Sequence, residues 1–182
     1  MKIVFLDRDG VINKYPGDRR YVTGPKEFKF IAGSIQAIKK LKEKGFTLFV
    51  ISNQAGVEKG IYSQKTLNDI DNKMIRELKK HKTSLDGIYY CTHREETNCT
   101  CRKPKTGLMQ KALKDLNKIP TVALFIGDSF KDMQAAREFG AKPVLVLSGK
   151  EKISNRSKWD FEPDYIFDNL LIAAYYICSH YG

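Results

Sequence analysis

Ile3-Val4-Phe5-Leu6 is an apolar run rich in β-branched and aromatic residues, and it reads as a buried strand. Runs of the same kind recur at Phe46–Ile51, Asp86–Cys91, Thr121–Ile126 and Pro143–Leu147, with a short one at Tyr165–Phe167. Between them apolar residues fall at helical spacing. Ile35, Ile38 and Leu41 predict a first helix, with Ser34 as its N-cap and Gly45 as its end. Leu67, Ile70, Met74 and Leu78 share one face of a second, over Ser63–Lys82. A third helix is expected over Thr106–Asn117, and a terminal apolar helix carries Cys178 as a core thiol. Strand and helix in alternation predict an α/β fold. The 182 residues suffice for one domain, 1–182, with a real core.

The polar residues at the strand ends carry the chemistry. The first strand runs into Asp7-Arg8-Asp9-Gly10. Residues two apart on extended backbone face the same side, so Asp7 and Asp9 can converge on one metal or phosphoryl group. A solvated turn is the plainer reading of that stretch alone. The second strand delivers Ser52 and Asn53, whose small hydrogen-bonding groups suit a phosphate oxygen. The fourth ends at Asp128, with Asp132 one helical turn later. Carboxylates meeting at one sheet edge repel unless a cation sits among them, and Mg2+ suits an all-oxygen site that also holds phosphate.

After the third strand comes Cys91-Thr-His93, then Cys99-Thr-Cys101, which gathers three of the chain's four cysteines. Four soft ligands in two close pairs predict a closed, structural Zn2+ site in the loop 91–101. A disulfide is the competing reading, but nothing suggests export and it would leave His93 unexplained; a redox thiol pair is the third. Arg102-Lys103-Pro104 follows directly, so the metal loop would fix two cations in place. Lys103 offers a point charge and Arg102 a bidentate fork.

The net charge is +11, from 32 Lys and Arg against 21 Asp and Glu. That favours anionic partners, a phosphorylated small molecule and a nucleic acid alike. The loop after Asn13 holds Arg19, Arg20 and Tyr21 as candidate substrate contacts at the rim of the site. No interleaved basic and aromatic groove sequence supports nucleic-acid binding. No stretch approaches the roughly 20 apolar residues needed to span a bilayer, and the N-terminus opens straight into a strand. A cytoplasmic monomer is expected. No nucleotide-triphosphate loop motif occurs.

Acidic pair, small hydroxyl, cation, acidic pair is the resource list for phosphoryl transfer to an aspartate. The order DRDG, SNQ, RKP and GDSFKD resembles the haloacid dehalogenase superfamily of aspartate-nucleophile phosphatases over nearly the whole chain. The Cys/His loop just before RKP is similar to the superfamily's histidinol-phosphatase and heptose-bisphosphate phosphatase branch. The resemblance implies a three-layer, Rossmann-like, mostly parallel sheet with helices on both faces. It further implies Asp7 as nucleophile and metal ligand, Asp9 as general acid/base and metal ligand, and Asp128 as the third Mg2+ ligand. Ser52 and Lys103 would hold the transferring phosphoryl group, Arg102 the distal part of the substrate, and Cys91, His93, Cys99 and Cys101 the zinc. Asn53 would join the substrate contacts. The stretches Asn53–Gly60, Glu27–Gly33 and Asp86–Cys91 look most like the heptose 1,7-bisphosphate 7-phosphatases, which implies a small sugar bisphosphate as substrate. Histidinol-phosphate hydrolysis, a nucleic-acid end phosphatase and a zinc-stabilised binding module are the alternatives. Asp9 to Ser52 spans 43 residues and Ser52 to Lys103 spans 51, too few for a separate cap domain, so an open pocket is expected.

Overall fold

In β1 (Lys2–Leu6), Val4 and Leu6 join an apolar cluster on one face of the sheet, and Ile3 and Phe5 join another on the opposite face. All four side chains are fully buried, as a strand covered on both faces requires. The computed structural model describes Met1–Gly182 and extends this two-faced pattern through the chain. After β1 come α1 (Ser34–Glu43), β2 (Thr47–Asn53), α2 (Gln64–Lys80), β3 (Gly87–Cys91), α3 (Gly107–Leu116) and β4 (Val122–Gly127). Then follow α4 (Phe130–Phe139), β5 (Lys142–Val146), a 3-10 turn at Ile153–Lys158, β6 (Tyr165–Phe167) and α5 (Leu170–Tyr181).

The six strands form one sheet in the order β3-β2-β1-β4-β5-β6, every neighbouring pair parallel. Ile38, Leu41, Ile70, Met74, Ala173 and Ile177 cover one face from α1, α2 and α5. Leu108, Met109, Ala112, Ala135 and Ala136 cover the other from α3 and α4. The chain first builds outward from β1 to β3, then restarts on the far side of β1 with β4. That reversal opens a crevice at the carboxyl ends of β1 and β4, where open α/β sheets hold their ligands. Asp7 and Asp128 follow those two strands directly. No helix is long and apolar enough to cross a membrane.

Several boundaries differ from the sequence reading by a residue or two, and two of them bear on packing and on the site. Ser34 is the first helical residue of α1, not its cap; the N-cap is Gly33, in the left-handed region at φ 82°. A Cβ at Gly33 would stand 2.7 Å from Leu171 Cδ2, so close packing of α5 selects glycine there. β2 continues past its apolar run through Ser52 and Asn53, because these pair in register with Tyr90 and Cys91 of β3. α2, read as Ser63–Lys82, spans Gln64–Lys80, and Ser63 is its cap, accepting from the Thr66 amide at 3.1 Å.

Candidate active site

Asp7 is fixed to the end of β1 by its amide, which donates to the Ile126 carbonyl of β4 at 3.0 Å. Its Oδ1 accepts from the Arg8 amide at 2.7 Å and lies 3.0 Å from Lys103 Nζ. Carboxylate oxygens of Asp7, Asp128 and Asp132 all fall within 4.8 Å of one another, and all three residues are buried. The backbone makes room for them. A Cβ on Gly10 would stand 2.0 Å from Asp128 Oδ2, and one on Gly149 would stand 1.9 Å from the same atom. Gly10 also takes φ +81°, a conformation that disfavours other residues.

Lys103 reaches this cluster from the loop between β3 and α3. Its Nζ lies 2.5 Å from Asp132 Oδ1 and donates to the Ile51 carbonyl at 2.9 Å. The loop is pinned by Asn53: its Nδ2 donates to the Lys103 carbonyl and its Oδ1 accepts from the Lys103 amide, both at 3.1 Å. Asn53 therefore borders the cleft and also holds the Lys103 backbone in place.

Electrostatics follow from the burial. Desolvation pushes the Asp7 carboxyl up to about 6; Lys103 opposes it and Asp132 adds to it. Burial first, then Asp7 and Asp132, hold Asp128 well above the usual carboxylate range. Burial works against the Lys103 ammonium, but Asp132 and Asp7 outweigh it and hold its proton more tightly than usual. One lysine does not balance three carboxylates. Asp132 has Oδ2 in a capping box on Ser129, while its Oδ1 faces Lys103 as an ion pair. Asp7 and Asp128 remain as a buried all-oxygen pair, the donor set a hard dication such as Mg2+ takes. The residues fit the metal.

Asp9, expected among the metal ligands, has its side chain engaged elsewhere. Oδ1 accepts from Asn13 Nδ2 at 2.8 Å and Oδ2 from Gln54 Nε2 at 2.9 Å, while Arg8 Nη2 reaches both at 3.1 and 3.0 Å. The third carboxylate of the cluster is that of Asp132. Gln54 also donates to Ser52 Oγ at 3.1 Å and accepts from Tyr62 OH at 2.8 Å, which links the second motif to the first.

Asp7, Asp9, Ser52, Lys103 and Asp128 border one cleft of 450 Å3. Arg19, Arg20, Tyr21 and Arg102 border it too, together with Lys131 and Lys150. Sequence reasoning passed over several partners in this region. Gln54 and Asn13 stand within the motif stretches and could have been read from them. Tyr62 and Lys150 arrive on loops whose sequence signals nothing.

Cys91, His93, Cys99 and Cys101 converge beside the cleft. Their sulfurs lie 3.2 to 3.5 Å apart, and His93 Nδ1 is 3.2 Å from Cys101 Sγ and 3.7 Å from Cys91 Sγ. All are free thiols, so no disulfide forms. Tetrahedral Zn–S bonds of about 2.3 Å place sulfurs slightly under 4 Å apart, and the residues fit zinc. Burial acts to raise the Cys99 thiol, but hydrogen bonds from Cys101 and Cys91 outweigh it and bring it down to about 6. Glu58 buttresses the loop, accepting from the Arg94 amide and from Thr97 Oγ1. Arg102 is tied to it through Nη1, which donates to the His93 carbonyl at 3.3 Å.

Comparison with known proteins bears on this geometry. The HAD-hydrolase-like family model matches residues 100–173. D-glycero-beta-D-manno-heptose-1,7-bisphosphate 7-phosphatase of Neisseria meningitidis is 35% identical over 97% of this chain and 95% of its own length. The protein of the same name from Haemophilus ducreyi is 37% identical over 97% and 98%. The crystal structure of D,D-heptose 1,7-bisphosphate phosphatase from B. bronchiseptica, complexed with magnesium and phosphate, superposes with a TM-score of 0.90 at 32% identity, covering 98% of this chain and 99% of that one. The chain belongs to the haloacid dehalogenase superfamily of phosphatases, in the branch of the heptose-bisphosphate phosphatases.

Proposed function

We propose that this chain hydrolyses the 7-phosphate of D-glycero-D-manno-heptose 1,7-bisphosphate through an aspartyl-phosphate on Asp7. The observation that carries the reading is the meeting of Asp7, Ser52, Lys103 and Asp128 in one cleft at the sheet's switch point. The names of the relatives support the substrate.

In this reading an Asp7 oxygen attacks phosphorus while the bond to the sugar oxygen breaks on the opposite side. Asp9 gives its proton to that departing alkoxide. Water then attacks the phosphoryl-Asp7, Asp9 takes the water's proton, and phosphate leaves with Asp7 restored. Ser52 and Lys103 hold the phosphoryl oxygens. Mg2+ held by Asp7 and Asp128 supplies charge neutralisation of those oxygens. Arg102, Arg19, Arg20 and Tyr21 receive the distal part of the substrate, and the loop of Cys91, His93, Cys99 and Cys101, which would hold zinc, would keep Arg102 and Lys103 in register. The chain works as one cytoplasmic domain, a monomer, on a small soluble sugar phosphate.

The test is acid quenching during turnover followed by mass analysis of the peptide bearing Asp7. A phosphoryl adduct there, absent in Asp7→Asn, supports the reading. Phosphate release by Asp7→Asn at the parent rate overturns it.

A further inference from the structure

Arg8 stands between the two aspartates of the first motif, yet it is fully buried and is the largest side chain so enclosed. A buried cation persists only against a paired anion. The anion is Asp9: Arg8 Nε lies 3.3 Å from its Oδ1, and Nη2 lies 3.1 Å from Oδ1 and 3.0 Å from Oδ2. From behind, the guanidinium lies over the Tyr90 ring with Cζ 5.6 Å from the centroid. Tyr90 OH in turn donates to Asp71 Oδ1 of α2 at 2.6 Å. Asn13 and Gln54 close the sides, so both Asp9 oxygens are held from within the protein.

We propose that Arg8, backed by Tyr90 and Asp71, is the positioning residue for Asp9. It fixes the rotation of that carboxylate without touching substrate, so that Asp9 can serve the departing oxygen first and the incoming water second. The inference rests on the reading of Asp9 as the acid/base. A free side chain would lose orientation and, with it, most of the proton-transfer advantage.

The test compares parent, Arg8→Lys and Asp9→Asn proteins on an alkyl sugar phosphate and on p-nitrophenyl phosphate. An alkoxide needs a proton to leave; p-nitrophenolate does not. Lysine keeps the buried charge but cannot grip both oxygens. Arg8→Lys is expected to lose at least about tenfold in kcat on the alkyl substrate with KM unchanged. On p-nitrophenyl phosphate it should retain the first-turnover burst of p-nitrophenol and accumulate phosphoryl-Asp7. A merely structural loss would lower both substrates alike. Tyr90→Phe, which leaves Arg8 in place, should show a smaller loss of the same selectivity, and it carries the test if Arg8→Lys does not fold. Equal losses of the first-turnover rate on both substrates, or no loss on either, would overturn the inference. If Asp9→Asn shows the selectivity and neither other variant does, the clamp alone falls. If Asp9→Asn lacks it, the acid/base reading falls and the clamp with it.

Discussion

Lys103 Nζ stands 3.0 Å from Asp7 Oδ1, and on its other side it meets Asp132 at 2.5 Å. The same ammonium therefore restrains the Asp7 carboxylate and ties α4 to the loop after β3. Lys103→Met should cost both activity and stability. The rate should fall by about 100-fold or more through lost stabilisation of phosphoryl charge. Breaking a buried pair costs about 3–5 kcal/mol, which for a chain of this size lowers Tm by about 10 °C. Thermal melts and phosphate-release assays on the purified variant check it; an unchanged Tm would contradict the pairing.

Gly10 and Gly149 form the walls against Asp128. Gly10→Ala should displace that carboxylate and strain the turn at φ +81°. The expected outcome is a loss of Mg2+ affinity larger than the loss of stability, read by titrating activity against Mg2+. Gly45→Ala is the control, because a Cβ at Gly45, also at positive φ (+78°), meets no atom within 4 Å. It should strain the chain without touching metal affinity.

The burial that raises Asp7 to about 6 gives a pH prediction. In Mg2+-free protein the folded state holds this proton more tightly than the unfolded chain, whose carboxyl titrates near about 4. Its contribution is thus greatest below pH 4 and is lost as pH rises towards 6. Mg2+ needs both Asp7 and Asp128 ionised, and burial raises both carboxyls, so its affinity should rise steeply with pH while either still holds a proton and level off once both are ionised. Calorimetric titration from pH 5 to 8 measures this, and a flat profile would contradict it.

Zinc should be present at one ion per chain. Stripping it with a thiol-selective chelator should lower Tm and also raise KM, because Arg102 and Lys103 follow the Cys/His loop directly. Cys99→Ser should do the same more mildly. Full activity in zinc-free protein would remove the loop from any role in positioning Lys103.

Much of this was legible in the sequence, for a physical reason. Strand ends are where apolar runs give way to Asp7, Ser52 and Asp128, and a parallel sheet brings its carboxyl ends together whatever the loops do. The Cys/His loop announced itself by composition. What escaped depended on packing between distant elements. Gly33 displaced Ser34 as cap because Leu171 of α5 presses on it. Arg8 drew no reading of its own, since arginine is mostly exposed, and only Tyr90 and Asp71, brought from β3 and α2, make its burial sensible. Spacing and the resemblance bring Asp9 to the site, but not the partners of its side chain, which Asn13, Gln54 and Arg8 supply.

The central claim is tested most directly by phosphate release from D-glycero-D-manno-heptose 1,7-bisphosphate and from histidinol phosphate, side by side, with and without Mg2+. Release should depend on Mg2+, strongly favour the heptose and stop after the 7-phosphate, as phosphorus NMR of the product would show. Preference for histidinol phosphate, or release of the 1-phosphate first, would contradict it.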